Sequence, residues 1–493
     1  MRPADPGCLE EDPMQDTILV LSRSSEMAGL IARTLRFREV YCLPVAFSST
    51  AEQVMRHAPK GLILASHLTG EEALEGLDPA ILALPVPILA LGGAVEELCR
   101  HFGGSASPAA CDRLSVTLGL AQETLYEGIS GGEHMLQAYS VLELPDQLVP
   151  TVTATERVIG FRHAEFPIHA VQYPIERNDP DAAQLLENFA CRICGCQASW
   201  NEKAVIESAI ARIRQTVPEG DVLCAVSGGV DSAVCAKLAS LAVGERLRCI
   251  FIDTGLLRQD EPETVIRTFA EEVGLELERI DTQDTFLRAL SGVSTPRDKE
   301  RIASQLMTQV LLKQLTPNIK AVVMGTNFSD LLFGVPSTGD VDSKYPVAVC
   351  EPVRDLFKDE VRRLATALEL PARIIARQSF PSSGLALRVT GSVTAEKLDL
   401  LRRADDIFRE LILEGGHQRR LWQFYATLHD NPDQPRTYAI CLRATQSTQS
   451  GALAARLPFD VLEGAAELIR EEVPGAARIL YDLTPSQHHG ELE

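Results

Sequence analysis

The sequence predicts an α/β fold, in which two doubly wound parallel-sheet domains precede a smaller α+β domain. Three features support this. Apolar runs typical of buried parallel strands alternate with segments of helical spacing in both 1–200 and 201–390. A Ser-Gly-Gly turn joins one of these strands to a helix near the middle of the chain. The final segment, 391–493, instead mixes helices with short strands. At 493 residues the chain is long enough for two to four such domains.

The first predicted domain, 1–200, contains four apolar segments with the length of buried strands. These are Thr17–Leu21, Gly61–Ala65, Pro87–Leu91 and Ala170–Tyr173. Helical spacing follows the first of them over Glu26–Leu35, and the third from about Ala94. Such alternation favours a parallel sheet covered by helices.

The second predicted domain, 201–390, has three strands that each end in polar residues. The strands begin at Val222, Leu247 and Ala321. In doubly wound folds, ligands bind at the carboxyl ends of the strands. We therefore expect the three turns to meet at one site. In the third domain, 391–493, the pattern predicts a helix over Lys397–Leu413 and a strand over Tyr438–Arg443.

The turn after the first of these three strands has the features of a phosphate-binding loop. It reads Ser-Gly-Gly-Val-Asp-Ser and leads directly into a helix. Its two glycines let backbone amides approach a phosphate closely, and the helix N-terminus adds unpaired donors. Its serine hydroxyls can donate to phosphate oxygens, and Asp231 can hold a Mg²⁺ ion that bridges to the nucleotide. The predicted nucleotide-binding residues of the loop are Ser227, Gly228, Gly229, Val230, Asp231, Ser232 and Ala233.

A tight strand-to-helix turn with capping Ser and Asp residues is the alternative interpretation of this loop. The lysine of the usual phosphate loop does not follow the glycines, and the dinucleotide-binding fingerprint is also absent. Hydroxyls nevertheless bracket the glycines, and a carboxylate opens the helix. This combination favours nucleotide binding.

The turns after the next two strands are placed to contact the same nucleotide. Asp253 and Gly255 belong to an Asp-Thr-Gly turn, and Thr326 to a Gly-Thr-Asn turn. Each turn alone is ordinary, so the prediction depends on their position at the ends of strands. Asp330 follows, either as a polar site residue or as a helix cap.

Composition limits the classes of partner. A net charge of −21 argues against a nucleic-acid binder that works through phosphate contacts, although it leaves small nucleotides open. The longest apolar stretch, Ile81–Val95, is interrupted by prolines and is too short for a membrane span. The acidic segment Met1–Pro13 has no apolar core, so it is not a signal peptide. We therefore expect a cytoplasmic protein without a membrane or nucleic-acid partner.

The chain contains 12 cysteines, which we expect to be reduced thiols. Cys191, Cys194 and Cys196 are closely spaced, as in some metal sites. A structural zinc site needs four ligands, and no further ligand pair lies nearby in the sequence. We therefore expect no zinc ion there.

The loop resembles the SGGxDS motif of the ATP pyrophosphatase (PP-loop) superfamily, and the whole chain resembles the GMP synthetase family. Phe251–Arg258 is similar to that family's strand and adenosine turn, and Glu351–Arg362 to its sequence after the substrate lid. The resemblance implies that ATP is cleaved between its α and β phosphates, that AMP is transferred to a substrate oxygen, and that ammonia displaces it. It implies catalytic roles for Asp231 and Lys344, and homodimerisation through the last segment. It also implies substrate contacts at Asp330, Arg388 and Glu491.

The first domain resembles a class I glutamine amidotransferase domain that has lost its catalytic residues. Such domains carry a nucleophilic cysteine on a strand-to-helix turn, activated by a histidine and a glutamate. The resemblance places Gly92 at the cysteine position and Pro174 at the histidine position, and only Glu176 is retained. Cys99 and His169 are expected to be packing or surface residues. We therefore expect no glutamine hydrolysis.

Three segments near the expected acceptor also differ from the family. The short Asp342–Tyr345 replaces a Lys-Ser-His-His-Asn-Val-Gly-Gly lid, Phe380–Leu385 departs from Phe-Pro-Gly-Pro-Gly-Leu, and the C-terminal tail lacks the family's lysine and tryptophan. Three hypotheses remain open. The enzyme aminates XMP to GMP with free or externally supplied ammonia, it aminates a different acceptor, or the chain is a catalytically silent regulatory homologue.

Overall fold

The structure is a computed structural model that describes most of the chain. The described residues are 16–66, 74–108, 114–130, 133–136, 140–154, 156–173, 175, 179–328, 346–378, 380, 383–431, 434–448 and 451–484. The chain divides into two compact units, Met1–Val205 and Ile206–Glu493. The predicted boundary at residue 200 lies close to this division. A separate third domain from residue 391 stays a prediction.

The first unit contains the following described strands and helices. The strands are β1 (Ile18–Ser22), β2 (Cys42–Val45), β3 (Gly61–Ser66), β4 (Ile88–Gly92), β5 (Ser105–Pro108), β6 (Leu114–Leu120), β7 (Glu133–Leu136), β8 (Ser140–Glu143), β9 (Leu148–Ala154), β10 (Arg157–His163) and β11 (Ile168–Val171). The helices are α1 (Ser25–Phe37), α2 (Ala51–Arg56), α3 (Ala94–His101) and α4 (Pro180–Glu187), and α5 (Glu202–Thr216) crosses the boundary between the units.

The main sheet of the first unit is half parallel and half antiparallel. Among the described strands its order is β2-β1-β3-β4-β11-β10-β9-β6-β7. The part from β2 to β11 is parallel, as the sequence predicts, and its strands β1, β3 and β4 are almost entirely buried. The antiparallel strands from β10 to β7 were not predicted. In β9 and β10, exposed or half-buried residues interrupt the apolar ones, so these strands lack a continuous apolar run.

The second unit contains two described sheets and their helices. Its strands are β12 (Asp221–Ala225), β13 (Leu247–Asp253), β14 (Leu277–Asp281), β15 (Ile319–Val323), β16 (Ala348–Cys350), β17 (Gln423–Asp430), β18 (Tyr438–Thr448), β19 (Gly451–Ala454) and β20 (Ala476–Tyr481). Its helices are α6 (Val230–Val243), α7 (Glu261–Thr268), α8 (Gln283–Leu290), α9 (Pro296–Gln314), α10 (Lys358–Ala367), α11 (Ala372–Ile375), α12 (Ala395–Glu414) and α13 (Phe459–Glu472).

The first of these sheets is entirely parallel, and its strand order creates a binding crevice. The described order is β14-β13-β12-β15-β16. The chain runs from β12 outward to β14 and then returns to the other side of β12 at β15. This reversal is the topological switch point at which doubly wound folds bind ligands. The predicted α/β fold class is confirmed.

The last part of the chain packs against this parallel sheet. There β18 pairs antiparallel with β17 and β19 and parallel with β20. One cluster of buried apolar side chains extends from Leu223 in β12 through Leu385 to Leu401 in α12 and Ile440 in β18. The smaller α+β region therefore shares a core with the parallel sheet. None of the described helices combines the length and apolar character needed to span a bilayer.

A buried lysine joins these two regions. Lys299 in α9 is only 1% exposed, and its ammonium donates hydrogen bonds to the carbonyls of Ala386 at 3.1 Å and Val389 at 2.6 Å. Burial, together with the charge of Lys397, lowers the pKa of this lysine to about 8.

This lysine should give a pH-dependent stability with a defined sign. An unfolded lysine has a pKa of about 10.4, so between about pH 8 and pH 10 the unfolded chain binds more protons than the folded one. Its contribution to the free energy of unfolding therefore rises with pH in this interval. We expect the difference in Tm between the wild type and Lys299→Met to shift in favour of the wild type between about pH 8 and pH 10. Circular-dichroism melts measure this, and Lys313→Met, on the exposed face of the same helix, should leave the pH profile unchanged.

Candidate active site

The phosphate-binding loop lies between β12 and α6, and its shape requires glycine at residue 228. Gly228 has a φ of +77°, in the left-handed region that favours glycine. A Cβ atom there would collide with the guanidinium of Arg377 and lie 2.6 Å from Cγ2 of Val265. Gly229 is different, because its φ is −76° and the nearest atom to its Cβ position is the Ser227 hydroxyl at 3.4 Å.

The two loop hydroxyls brace the turn from within. The Ser232 hydroxyl donates to the carbonyl of Gly229 at 3.0 Å and accepts from the amide of Ser227 at 3.2 Å. The Ser227 hydroxyl lies 3.2 Å from that of Ser232 and accepts from the amide of Gly229 at 3.3 Å. The structure therefore shows a bracing role for both serines, and their predicted bonds to phosphate stay predictions.

The next amides are the candidate anion-binding groups of the loop. Within the described residues, the backbone N–H groups of Gly228, Val230, Asp231 and Ser232 make no hydrogen bond. Three of them belong to the first turn of α6, where the helix dipole places positive partial charge. The alternative interpretation, a turn with capping side chains, therefore explains only part of this loop. It accounts for the amides of Ser227 and Gly229, which bond to serine hydroxyls, but not for the other four.

The carboxylate of Asp231 is directed to the switch point and makes contacts with two other segments. It forms an ion pair with Lys358 at the start of α10, and it accepts a hydrogen bond from the side-chain amide of Asn327 at 3.4 Å. The Asp231 side chain is 18% exposed. Asn327 belongs to the Gly-Thr-Asn turn that the sequence placed at this site, whereas Lys358 was not predicted, although it lies inside the Glu351–Arg362 segment that resembles the family.

A second basic residue that the sequence analysis did not predict contacts the backbone of the loop. Arg377 donates to the carbonyl of Ser227 at 3.1 Å and forms an ion pair with Glu261 in α7. Burial lowers the pKa of this arginine, Glu261 opposes that shift, and the charge of Arg258 adds to it. No local sequence pattern predicts this contact, because Arg377 lies 150 residues beyond the serine.

Asp253, at the end of β13, shapes the neighbouring turn. Its Oδ2 accepts hydrogen bonds from Arg279 at 2.5 Å and Gln283 at 3.1 Å, and its Oδ1 accepts one from the amide of Gly255 at 3.0 Å. Only 1% of the residue is exposed. Nucleotide contact by Asp253 and Gly255 stays a prediction.

The end of β15 completes the expected convergence of three turns. A Cβ atom at Gly325 would lie 3.1 Å from the amide nitrogen of Ser232, so the two turns are in van der Waals contact. Thr326, the next residue, is 9% exposed. The structure therefore brings the turns at 227–232 and 324–327 together, with the 253–258 turn on the adjacent strand.

The predicted acceptor residues are only partly described. Lys344, Asp330 and Glu491 lie outside the described residues. Arg388 is 5% exposed, forms an ion pair with Asp405 at 3.2 Å, and stacks on the rings of Phe380 and Tyr425. Burial lowers its pKa to about 10, which the nearby Asp405 opposes. Substrate contact by Arg388 stays a prediction.

In the first unit, Gly92 lies at the turn where a nucleophile was expected from the resemblance. It ends β4 with a φ of +66°, and α3 begins two residues later at Ala94. The turn therefore has a left-handed residue between strand and helix, but this residue carries no side chain. Pro174 and Glu176 lie outside the described residues.

Of the two side chains considered as substitutes, Cys99 is buried and His169 is half-buried. The Cys99 thiol lies in the core, 3.6 Å from the carbonyl oxygen of Ser105, and burial raises its pKa. Burial lowers the pKa of His169 in β11. A high thiol pKa disfavours the thiolate that a nucleophile requires.

Comparison with known proteins assigns the family. A family model described as NAD synthase matches residues 204–421. A GMP synthase [glutamine-hydrolyzing] from Caldanaerobacter subterraneus subsp. tengcongensis is 32% identical over 95% of this chain and 97% of its own length. A protein of the same name from Bacillus mycoides is 34% identical over 95% of this chain and 97% of its own length. The chain belongs to the GMP synthase family. It is therefore a carbon–nitrogen ligase, and its PP-loop region implies that it uses ATP.

A solved structure gives a weaker likeness. The NMN synthetase from Francisella tularensis has a TM-score of 0.32 and 16% identity over 40% of this chain and 84% of that chain. The family assignment depends on the sequence relatives alone.

The two loop glycines should differ in their tolerance of a side chain. Gly228→Ala places a Cβ at a left-handed residue and against Arg377 and Val265, so we expect it to lower stability by roughly 1–3 kcal/mol. Gly229→Ala, the matched control, has a permitted φ and no close contact, and its Tm should stay near that of the wild type. Thermal melts without nucleotide measure both, and an equal loss in the two variants would contradict the loop geometry.

Proposed function

We propose that this chain is an ATP-dependent ligase that adenylylates XMP and aminates it to GMP, releasing AMP and pyrophosphate, with ammonia that is free or supplied by another protein. The observation that carries the proposal is the loop at 227–232, in which four neighbouring amides lack partners among the described residues. These amides, with the N-terminus of α6, suit the β and γ phosphates of ATP. As pyrophosphate leaves, the same donors stabilise its growing charge.

The residues around Asp231 fit a Mg²⁺ ion that is held mainly by phosphate oxygens. Mg²⁺ in nucleotide sites is usually bound through one or two carboxylates together with the phosphates. Asp231 supplies one carboxylate beside the loop, and its hydrogen bond from Asn327 is long, at 3.4 Å. When bound, the ion would neutralise phosphate charge. Lys358 keeps Asp231 in place and adds a second positive charge near the leaving group.

The turn at Gly92 supports an ammonia source other than this chain's first unit. A glutaminase needs a thiol at that turn, and glycine supplies none. The proline in the predicted histidine position has no titratable group. Ammonia reacts directly with the adenylylated carbon, so the ligase step needs no protein nucleophile.

Further features support a homodimer and a reducing compartment such as the cytoplasm. Phe459, Leu453 and Leu483 in the last part of the chain are 72%, 48% and 70% exposed, which favours burial against a second copy. All ten cysteines within the described residues are free thiols.

A substrate assay tests the proposed reaction. Purified protein receives ATP, Mg²⁺ and XMP with either ammonium or glutamine, and AMP, pyrophosphate, GMP and glutamate are measured. We expect GMP with ammonium, and neither GMP nor glutamate with glutamine. Gly92→Cys should not restore glutamine hydrolysis, because Pro174 cannot act as a base. AMP formation only with another carbonyl acceptor would replace XMP in the proposal, and ATP binding without any turnover would indicate the silent homologue.

The loop carboxylate should be needed for turnover and not for folding. Asp231→Asn keeps the shape of the side chain and removes its charge, so we expect kcat to fall by about 100-fold or more. Asp221→Asn is the matched control, because it makes the same change at the opposite end of β12. There the Asp221 carboxylate accepts a hydrogen bond from the side-chain amide of Asn318 at 2.6 Å. Steady-state kinetics at saturating Mg²⁺ measure both, and similar kcat values in the two variants would remove Asp231 from the mechanism.

A further inference from the structure

A cavity lined by arginines lies next to the phosphate-binding loop. Its volume is about 250 Å³, and it is bounded by α7, α11, α12 and Gly228 of the loop. Five arginines contribute to its described walls: Arg258, Arg373, Arg377, Arg402 and Arg409. The described wall residues include no Phe380, Ser383 or Arg388, but the cavity adjoins that turn, since Arg258 stacks on Phe380 and Asp405 pairs with Arg388.

The acidic residues of the cavity do not balance this charge. Three carboxylates line it, those of Glu261, Asp405 and Asp406. Two of them are shared with arginines outside the cavity, since Asp405 pairs with Arg388 at 3.2 Å and Asp406 with Arg403 at 3.2 Å. Two of the wall arginines in turn pair with carboxylates outside the cavity, Arg373 with Glu272 and Arg402 with Asp399. Within the described residues, Arg409 is the wall arginine left without a carboxylate partner.

Two of the arginines have donors that the described protein does not satisfy well. Arg258 has a side chain only 10% exposed, and its Nε makes no hydrogen bond within the described residues. The carboxylate oxygen nearest to that nitrogen, Oδ2 of Asp405, is 3.5 Å away. Arg409 has no carboxylate partner among the described residues. It donates one long hydrogen bond, of 3.4 Å, to Gln378 and stacks on Phe424.

The guanidinium groups also repel one another. Burial, together with the charges of Arg258 and Arg377, lowers the pKa of Arg409 to about 10, against the opposing effects of Asp405 and Glu261. Crowding of buried like charges destabilises a protein unless an anion is present between them. Guanidinium forks match the oxygens of phosphate in a bidentate geometry.

We propose that this cavity is a second anion site, which binds a phosphate group beside the ATP loop. Arg409 and Arg258 provide the principal donors, and Arg377 connects the site to the loop through the carbonyl of Ser227. The phosphate has two possible sources, either a phosphomonoester on the acceptor or free phosphate and pyrophosphate near the loop. The site is defined by binding alone, so it does not depend on the proposed XMP reaction.

Calorimetry on the full chain tests this site separately from the ATP loop. The loop is first saturated with Mg²⁺ and α,β-methylene-ATP, and inorganic phosphate is then titrated in chloride buffer of constant ionic strength. We expect saturable binding that Arg409→Gln weakens by about tenfold or more, since hydrogen bonds to charged groups contribute strongly. Arg409→Lys should restore part of the affinity. Arg301→Gln, with the same charge change on an exposed part of α9, should leave it unchanged.

The stability of the same variant separates a binding role from a structural one. Without phosphate, removing one of several crowded charges should leave the Tm of Arg409→Gln equal to or above that of the wild type. With phosphate, the wild type should gain more in Tm than the variant. A lower Tm for the variant in both buffers, with unchanged phosphate affinity, would show a structural arginine and overturn the proposal.

Competition identifies the source of the phosphate. If the phosphate belongs to the acceptor, XMP displaces inorganic phosphate and xanthosine does not. In that case Arg409→Gln weakens the binding of XMP but not that of xanthosine. If it is free, pyrophosphate displaces phosphate and XMP does not. Either result supports the site. Absence of saturable phosphate binding in the analogue-saturated wild type overturns it, whatever the outcome of the XMP assay.

Discussion

The close approach of two strand ends to the first turn of one helix is the constraint on which the active site depends. Strands β12 and β15 are neighbours, and the turns that follow them meet at the start of α6. A side chain at Gly325 would lie 3.1 Å from the amide nitrogen of Ser232, and one at Gly228 would collide with Arg377. Because both residues lack side chains, these segments approach one another closely and the backbone amides at the start of α6 are left uncovered by a side chain at either glycine. This arrangement supports the proposal that the loop binds phosphate without the lysine of the usual phosphate loop.

The sequence predicted three of the five described strands of the second unit's parallel sheet, together with the loop, because these depend on local pattern. Continuous apolar runs indicated the buried strands β12, β13 and β15, and the polar residues at their ends indicated where we expect a ligand. The partners of the loop were not predictable in the same way. Lys358 and Arg377 lie 127 and 150 residues from the atoms that they contact. Their positions depend on how β16 and the helices after it return to the sheet, for which a single sequence has no periodic signal.

The function of particular polar residues was also harder to predict than their location. Asp253 was expected to contact nucleotide because it ends a strand at the correct edge. The structure places it there, but two side chains and one amide already occupy its carboxylate. Gly92 shows the converse. The strand-to-helix turn, including its left-handed residue, is present without a nucleophile. The backbone geometry of a site can therefore be present without its reactive side chains, and sequence pattern predicts mainly the backbone geometry.

The overall charge of the chain is a poor guide to what its second unit can bind. With a net charge of −21, the protein repels a long polyanion, whose many phosphates sample the whole surface. A small anion responds only to the charges close to it, since surface charges are screened over roughly 8–10 Å at physiological salt. Near the loop, the amides at the start of α6 and the ion-paired Lys358 and Arg377 contribute positive charge, beside the carboxylates of Asp231 and Glu261. The net charge of an acidic protein therefore does not exclude a local site for a small anion.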